Sequence, residues 1–438
     1  MGDQMSSINK SGVGLSRSLG LRELVFMGLI MIQPTAPMPI FGVVFNEARG
    51  HVVSAILVGM LGMMCTAYSY GKMAQVYPSA GSAFTYVGRT LHPMAGYMTG
   101  WAMLLDYVLN PVICTILCSK AAGNVLPMVP YAAWVCFFAL LFTGLNLRRI
   151  QATARTNQLL TLAMGGVIVW MLVATWQSLQ APVNWLRPFY DPAHFNWQNF
   201  SQGTSIAVLT YIGFDAISTL SEEVHDPRRN ILRGTVLVCL IIGVLSAIEV
   251  YAAQLIWPVG RPFPDVDTAY VHVAGVAGGP WLFQTMNLTL LVATVGSGAG
   301  AMGAGARLLF GMGREGSLPR GVFGYLDPKS QVPSRNILLI GALSLVGGFA
   351  VSYQLGAEML NFGAFLGFVG VNMAALKKHG WHPVPAIGMV VCGFLWWKLS
   401  VIAKVVGGIW LLIGIVTGWA TGGLQKPLSV AEDQAEVE

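Results

Sequence analysis

Three acidic residues stand out because of what surrounds them. Asp106, Asp215 and Glu249 each lie well inside a long apolar run. An ionisable side chain in such a run is costly, and by default it marks the path of a substrate or an ion. Asp215 follows Tyr211-Ile212-Gly213-Phe214, so a glycine and an acid meet near the middle of their run. Backbone carbonyls and a carboxylate at that point can hold an ammonium group. Equally, an aspartate there can cap the second half of a broken helix. Asp106 lies between Trp101 and Tyr107, as a cation ligand or as a buried acid paired to a neighbouring helix. Glu249 reads as a further proton site or as an acid with no part in the chemistry.

A second unusual stretch sits in the first apolar run, where Gln33-Pro34-Thr35-Ala36-Pro37 interrupts an otherwise helical pattern. Each proline removes a backbone donor and clashes with the preceding turn, so the helix must break or kink. Inside a bilayer, broken backbone survives only where protein or a water-filled cavity satisfies it. The residues expected to line such a cavity are Gln33, Pro34, Thr35 and Ala36 from the first break, and Tyr211, Gly213, Phe214 and Asp215 from the second. Trp101, Asp106 and Tyr107 from the third run complete the set. The aromatics Trp101, Tyr107, Tyr211 and Phe214 are candidates for an aromatic wall, each cation–π contact contributing roughly 0.5–2 kcal/mol. For proton coupling the candidates are Asp215, Asp106 and Glu249, because a carboxylate shielded from water can exchange a cation for a proton.

Other chemistries lack their residues. The chain has no GxxxxGK[ST] loop, no GxSxG and no HExxH, so direct use of ATP and the corresponding hydrolase and metalloprotease mechanisms are not expected. The glycine run Gly296-Ser297-Gly298-Ala299-Gly300 falls inside an apolar segment, where small residues allow close helix approach and leave room beside the first break. The six cysteines form no CxxC pair or Cys/His ligand spacing; they read as small buried hydrophobes, and neither a metal site nor a cofactor is expected.

Only 10% of the 438 residues are charged and 55% are apolar. Soluble domains carry about 25% charge, so this chain cannot coat a water-facing surface; a soluble enzyme and a nucleic-acid binder are both excluded. Its solvent is the lipid bilayer. Runs long enough to cross it fall at about 22–46, 52–76, 94–122, 130–147, 157–178, 202–220, 232–257, 281–310, 336–353, 357–375, 384–397 and 400–420. The last two are interrupted by Lys398 and Lys404 and can be read as one broken hairpin. The longest connecting segments are 179–201, 258–280 and 311–335.

The breaks fall in runs one and six, five spans apart. That spacing points to an inverted five-plus-five repeat with a binding site near the bilayer midplane. The expected division is a terminal segment 1–19, a first repeat 20–178, a second repeat 202–375, two added helices within 384–420, and a short acidic tail 421–438. Residues 1–19 carry no cleavable signal pattern, so the first run is expected to stay in the membrane. Lys and Arg set the orientation. With the N-terminus cytoplasmic, 19 of the 25 face the cytoplasm, while Arg49, Arg187, Arg261, Lys398, Lys404 and Lys120 face the other side. Both termini are therefore expected inside.

Four stretches resemble the amino acid–polyamine–organocation transporter superfamily. They are Pro78-Ser79-Ala80-Gly81-Ser82-Ala83-Phe84-Thr85-Tyr86, similar to a re-entrant loop motif; Asn146-Leu147-Arg148-Arg149-Ile150; Tyr211 to Ser218 followed by Glu222-Glu223; and Arg307 followed by Met312-Gly313-Arg314-Glu315-Gly316. Leu104-Leu105-Asp106-Tyr107, Val322-Phe323-Gly324-Tyr325 and Asn361-Phe362-Gly363-Ala364 make the chain most similar to the putrescine importer group. The resemblance implies an all-α membrane protein with a LeuT-like fold, and uptake of a small amine or amino acid across an inner membrane, coupled to protons. It leaves the substrate and the oligomeric state open.

Amino-acid transporters of this fold usually present a Gly-Ser-Gly break whose bare amides bind the substrate carboxylate. Here Pro34 and Pro37 weaken that cradle while Thr35 and Ala36 still supply amides, which favours an amine without a carboxylate. Some members use a lysine in span five for the proton; residues 157–178 contain none, so a carboxylate is the expected carrier. Glu222, Glu223, Arg148 and Arg228 are expected at the cytoplasmic end of span six, as an inner gate of ion pairs or as an attractant for polyamines.

Overall fold

The computed structural model describes residues 19–78, 82–148, 154–179, 182–222, 224–314 and 318–420, with backbone alone at 154–157 and 222. Each expected apolar run is helical, because in lipid a helix satisfies its own backbone groups. The first run is two helices, α1 (Leu21–Ile32) and α2 (Phe41–Glu47), separated by turns. Next come α3 (Val52–Val76), the short α4 (Ser82–Thr90), α5 (Pro93–Val125), α6 (Tyr131–Leu147) and α7 (Ala154–Ser178). The sixth run begins as α8 (Trp197–Ala207), tightens into a 3-10 turn over Val208–Tyr211, breaks, and resumes as a 3-10 helix over Asp215–Glu222. Then follow α9 (Pro227–Ile256), α10 (Ala269–Arg314), the short α11 (Arg320–Phe323), α12 (Ser334–Ala350), α13 (Tyr353–His379), α14 (Pro383–Lys398) and α15 (Val401–Ala420).

Among the described residues eight helices are long and apolar enough to cross a membrane, and α6, α12 and α14 are shorter apolar ones. The divided first run accounts for the twelfth expected span. The last two runs are separate helices, broken at Leu399-Ser400, not one interrupted segment. The connecting segment 258–280 carries a helical stretch of its own: α10 starts at Ala269 and bends at Gly278 and Gly279, whose φ of −132° and +74° depart from helical values, ahead of Pro280.

Of the long spans α5 is the most enclosed, whereas α7 and α15 are the least. Close packing against α5 relies on missing side chains. A Cβ on Gly363 of α13 would strike the Ala102 carbonyl oxygen of α5, and one on Gly298 of α10 would lie 2.8 Å from Cys114 of α5 and from Phe142 of α6. Buried amides add directed contacts: Asn361 Nδ2 donates to the Ser205 carbonyl of α8 at 2.8 Å, and Asn287 Nδ2 donates to the Ala121 carbonyl of α5 at 2.6 Å. The chain entering α1 is pinned beside the end of the sixth span, where His225 N–H donates to the Leu19 carbonyl at 2.8 Å.

Candidate cavity at the two helix breaks

Three prolines, at 34, 37 and 39, keep residues 33–40 out of a helix. Two of the remaining amides are spent inside the break, Ala36 N–H on the Gln33 carbonyl at 3.2 Å and Met38 N–H on the Thr35 carbonyl at 3.1 Å. Gln33 holds a φ of +72°, which costs a non-glycine residue about 1–3 kcal/mol. Its side chain offsets part of this by donating to the Ala293 carbonyl of α10 at 2.9 Å. The first break is thus tied to the eighth span, and Thr35 holds the one amide between residues 34 and 39 outside these turns. The expected supply of amides from both Thr35 and Ala36 is reduced accordingly.

The second break turns at Gly213, whose φ of +115° suits glycine alone. A Cβ there would also lie 3.3 Å from Ile32 Cγ1, at the end of α1. Asp215 Oδ1 accepts the Gly213 N–H at 3.2 Å, so the acid stabilises the turn that carries it. Its side chain is 6% exposed and forms no ion pair among the described residues.

Between the breaks lies a cavity of about 580 Å³. Its walls include Gln33, Thr35 and Ala36 from the first break, Asp106 and Tyr107 from α5, and Gly213 and Asp215 from the second break. Asp106 is 8% exposed and has no hydrogen-bond or ion-pair partner among the described residues. Two enclosed carboxylates therefore face one space, and neither forms an ion pair among the described residues.

The wall also contains polar residues outside the sequence-derived set: Asn110, Thr219, Thr294, Ser297, Arg307 and Tyr353. The signal for some of them was helical spacing. Tyr107, Asn110, Cys114 and Leu117 repeat every three to four residues on α5, as do Ala293, Ser297, Gly300, Ala304 and Arg307 on α10.

The other candidates lie elsewhere. Pro34 is buried within the first break and is off the cavity wall. Trp101 stacks on Trp410 of α15 with ring centroids 4.9 Å apart, and each indole N–H donates to the other residue's carbonyl, at 2.8 and 2.9 Å. Tyr211 is fully buried and its hydroxyl donates to the Ile56 carbonyl of α3 at 2.8 Å. Phe214 packs edge-on to Tyr70 at 5.5 Å and against Phe368 at 5.2 Å. Of the four proposed wall aromatics, Tyr107 alone is on the cavity. Glu249 is fully buried on α9, off the cavity wall, with both carboxylate oxygens unpartnered among the described residues. Arg148 is exposed at the end of α6 and Arg228 in the first turn of α9; Glu223 and the Glu222 side chain lie outside the described residues.

The two ends of the cavity differ. On the side of α2, Phe41, Phe45, Phe263 and Tyr270 form a buried cluster with centroids 5.2–6.0 Å apart. Nearby, Lys120 at the end of α5 pairs with Asp267 at 2.7 Å and Asp265 at 3.3 Å, joining α5 to the segment before α10. Toward the other side the α10 wall runs from Leu290 to the exposed Arg307, about 25 Å at 1.5 Å per residue. The aromatic cluster lies beyond the cavity wall on the α2 side, and an exposed charge borders the other end. Such a chamber, formed at interrupted helices, can hold a small solute in the middle of a membrane protein.

Residues 25–422 match the amino acid permease family model. The chain is 34% identical to the low-affinity putrescine importer PlaP of Escherichia coli, with 98% of each chain covered. It is 27% identical to the branched-chain amino acid permease BcaP of Lactococcus lactis over 93% of this chain and 95% of the relative. With the methylthioribose transporter of Bacillus subtilis it shares 26% identity over 94% of both. The match spans both breaks and every cavity wall, and the chain belongs to the amino acid permease family, multi-pass transporters of the amino acid–polyamine–organocation superfamily with a LeuT-like fold.

Proposed function

We propose that this transporter imports a small organic amine, putrescine-like in charge, by alternating access with proton symport. The observation that carries the reading is the pair of enclosed carboxylates, Asp106 and Asp215, facing one cavity without a cationic partner among the described residues. An ammonium group supplies the missing charge. Tyr107 adds a ring to the wall, and the spent amides of the first break leave little to bind a substrate carboxylate. Loss of the cation leaves a carboxylate that accepts a proton, so substrate and proton alternate on Asp215 or Asp106. The similarity to a putrescine importer along the whole chain supports the substrate class.

In the same reading, residues 20–178 and 202–375 are inverted five-helix repeats and 384–420 supplies two added helices. The Lys and Arg distribution turns both termini toward the cytoplasm of an inner membrane, with the cavity open inward. Membrane potential then assists cation entry by about 2.3 kcal/mol per charge per 100 mV. Glu222, Glu223, Arg148 and Arg228 are the gate residues of this reading.

The test is thermal-shift and binding screening of the purified protein across diamines and amino acids, followed by uptake into proteoliposomes under an imposed pH gradient. Saturable, concentrative putrescine uptake that collapses with the gradient is expected. Tight binding of an α-amino acid with none of putrescine would replace the amine by an amino acid, the reading favoured by similarity to branched-chain permeases. Accumulation indifferent to the pH gradient would replace proton symport by sodium coupling or exchange. Non-saturating flux would mark a channel, and binding without uptake a sensor.

A further inference from the structure

Arg307 is the one cationic side chain on the cavity wall among the described residues, and it is exposed. It makes no hydrogen bond or ion pair there. It stands ten residues beyond Ser297 on the same wall of α10, about 15 Å along the helix, at the end of the chamber opposite the buried Phe41 cluster. Of the two wall carboxylates, Asp215 lies at the second break and Asp106 lies on α5, where a Cβ on Gly305 of α10 would come within 3.2 Å of the Tyr107 carbonyl oxygen. A solute that leaves the second break along the α10 wall therefore passes a fixed positive charge.

We propose that Arg307 is a release residue, whose charge lowers the affinity of the inward-open cavity for a cationic substrate and opposes its re-entry from the cytoplasm. The inference rests on the amine reading above and assigns that site its directional bias. Conformational coupling requires that a ligand interact differently with the two states. A charge that borders only the mouth weighs on the state in which the mouth is open. In the state open to the other face, the closed inner half separates it from the substrate. For an ammonium group held level with Ser297, about 15 Å from Arg307 along α10, an effective dielectric between about 20 and 80 corresponds to roughly a two- to sixfold weakening of binding.

The experiment uses the full-length protein in proteoliposomes of determined orientation, with radiolabelled putrescine as the probe. Half-saturation is measured separately from the inner and outer faces, at low ionic strength. Arg307→Gln is expected to lower the inner-face value about two- to sixfold and leave the outer-face value unchanged, while Arg307→Lys behaves as the parent. Ala304→Glu sets a carboxylate one turn from Arg307 on the same wall and is expected to act in the same direction; it keeps the test available if Arg307→Gln does not fold. An unchanged inner-face value in both neutralised variants, or a raised one, overturns the inference; a raised value would mean that the guanidinium holds an anionic group of the solute. Absence of putrescine uptake by the parent overturns the amine reading and this inference with it, whereas uptake with unaltered inner-face half-saturation overturns this inference alone.

Discussion

Replacing Asp215 by asparagine separates the two roles its position allows. Asparagine keeps a side-chain oxygen that can accept the Gly213 N–H, now bonded at 3.2 Å, and removes only the charge. Alanine removes both. An ammonium group about 4 Å from a carboxylate is held by about 4 kcal/mol at an effective dielectric of about 20, and by about 1 kcal/mol in bulk water. Asp215 is 6% exposed, so the enclosed figure is the better guide, less what dehydration of the ammonium costs. The expected loss is about 2–4 kcal/mol, or roughly a 30- to 1,000-fold weaker putrescine affinity. Asp215→Asn should melt within a degree or two of the parent, because the turn at Gly213 retains its acceptor, and its uptake should be abolished. Calorimetric titration of the purified protein reads the affinity, and proteoliposome uptake reads the function. Near-parental affinity and uptake in Asp215→Asn, with a lowered melting temperature only in Asp215→Ala, would refute the reasoning and leave Asp215 as a structural stabiliser of the break.

Two glycines should respond in opposite ways to the same added carbon. Gly300 lines the cavity and a Cβ there meets nothing within 4 Å, so Gly300→Ala should hold or raise stability by up to about 1 kcal/mol while narrowing the chamber and reducing uptake. Gly363→Ala drives its Cβ into the Ala102 carbonyl and should cost about 1–3 kcal/mol; in a thermal-shift assay, a lowered melting temperature in Gly300→Ala or a parental one in Gly363→Ala would contradict the respective expectation. Trp101→Phe removes the indole hydrogen bond to Trp410 at 2.8 Å and should cost about 1–3 kcal/mol with half-saturation for putrescine unchanged; a large change in half-saturation would return Trp101 to the site. In the loop before α8, the His194 ring 3.0 Å away, with Arg187 at 3.5 Å, holds the Asp191 carboxyl below the usual carboxylate range. Its folded value lies below its unfolded one, so its contribution is complete above the ordinary carboxylate range and disappears as pH falls through the lowered value. Hydrogen exchange over residues 187–195 should therefore accelerate on acidification in the parent, and Asp191→Asn should abolish that dependence.

The depth of the three acids and the breaks in spans one and six were legible in the residues because lipid leaves the backbone few options. A run of about 20 apolar residues must be helical to satisfy its own groups. A proline cluster such as Gln33 to Pro37, or glycine beside aspartate at Gly213 to Asp215, then marks the exception. Pro39 belongs to the same signal and extends the break by a further missing donor. Which side chains share the cavity was less legible, because that depends on the rotation of each helix about its axis. Trp101 is five residues from Asp106, about 140° away around α5 at 3.6 residues per turn, and it faces α15. Tyr211 and Phe214 flank the break but turn toward α3 and α13. Local sequence says little about those rotations, since lipid and protein neighbours accept the same apolar residues.

The amino-acid sequence alone therefore determined that the chain spans a bilayer, where its helices run, where two of them must break, and which few acids lie at depth. Each of these follows from the cost of exposing polar groups to hydrocarbon. The tertiary structure decided that Asp106 and Asp215 face one chamber while Glu249 does not, and that Arg307, far from both in sequence motif, borders the same space. Those outcomes depend on packing between helices distant in the chain, such as Gly363 against Ala102 and Gly298 against Cys114, and no local pattern encodes which faces meet.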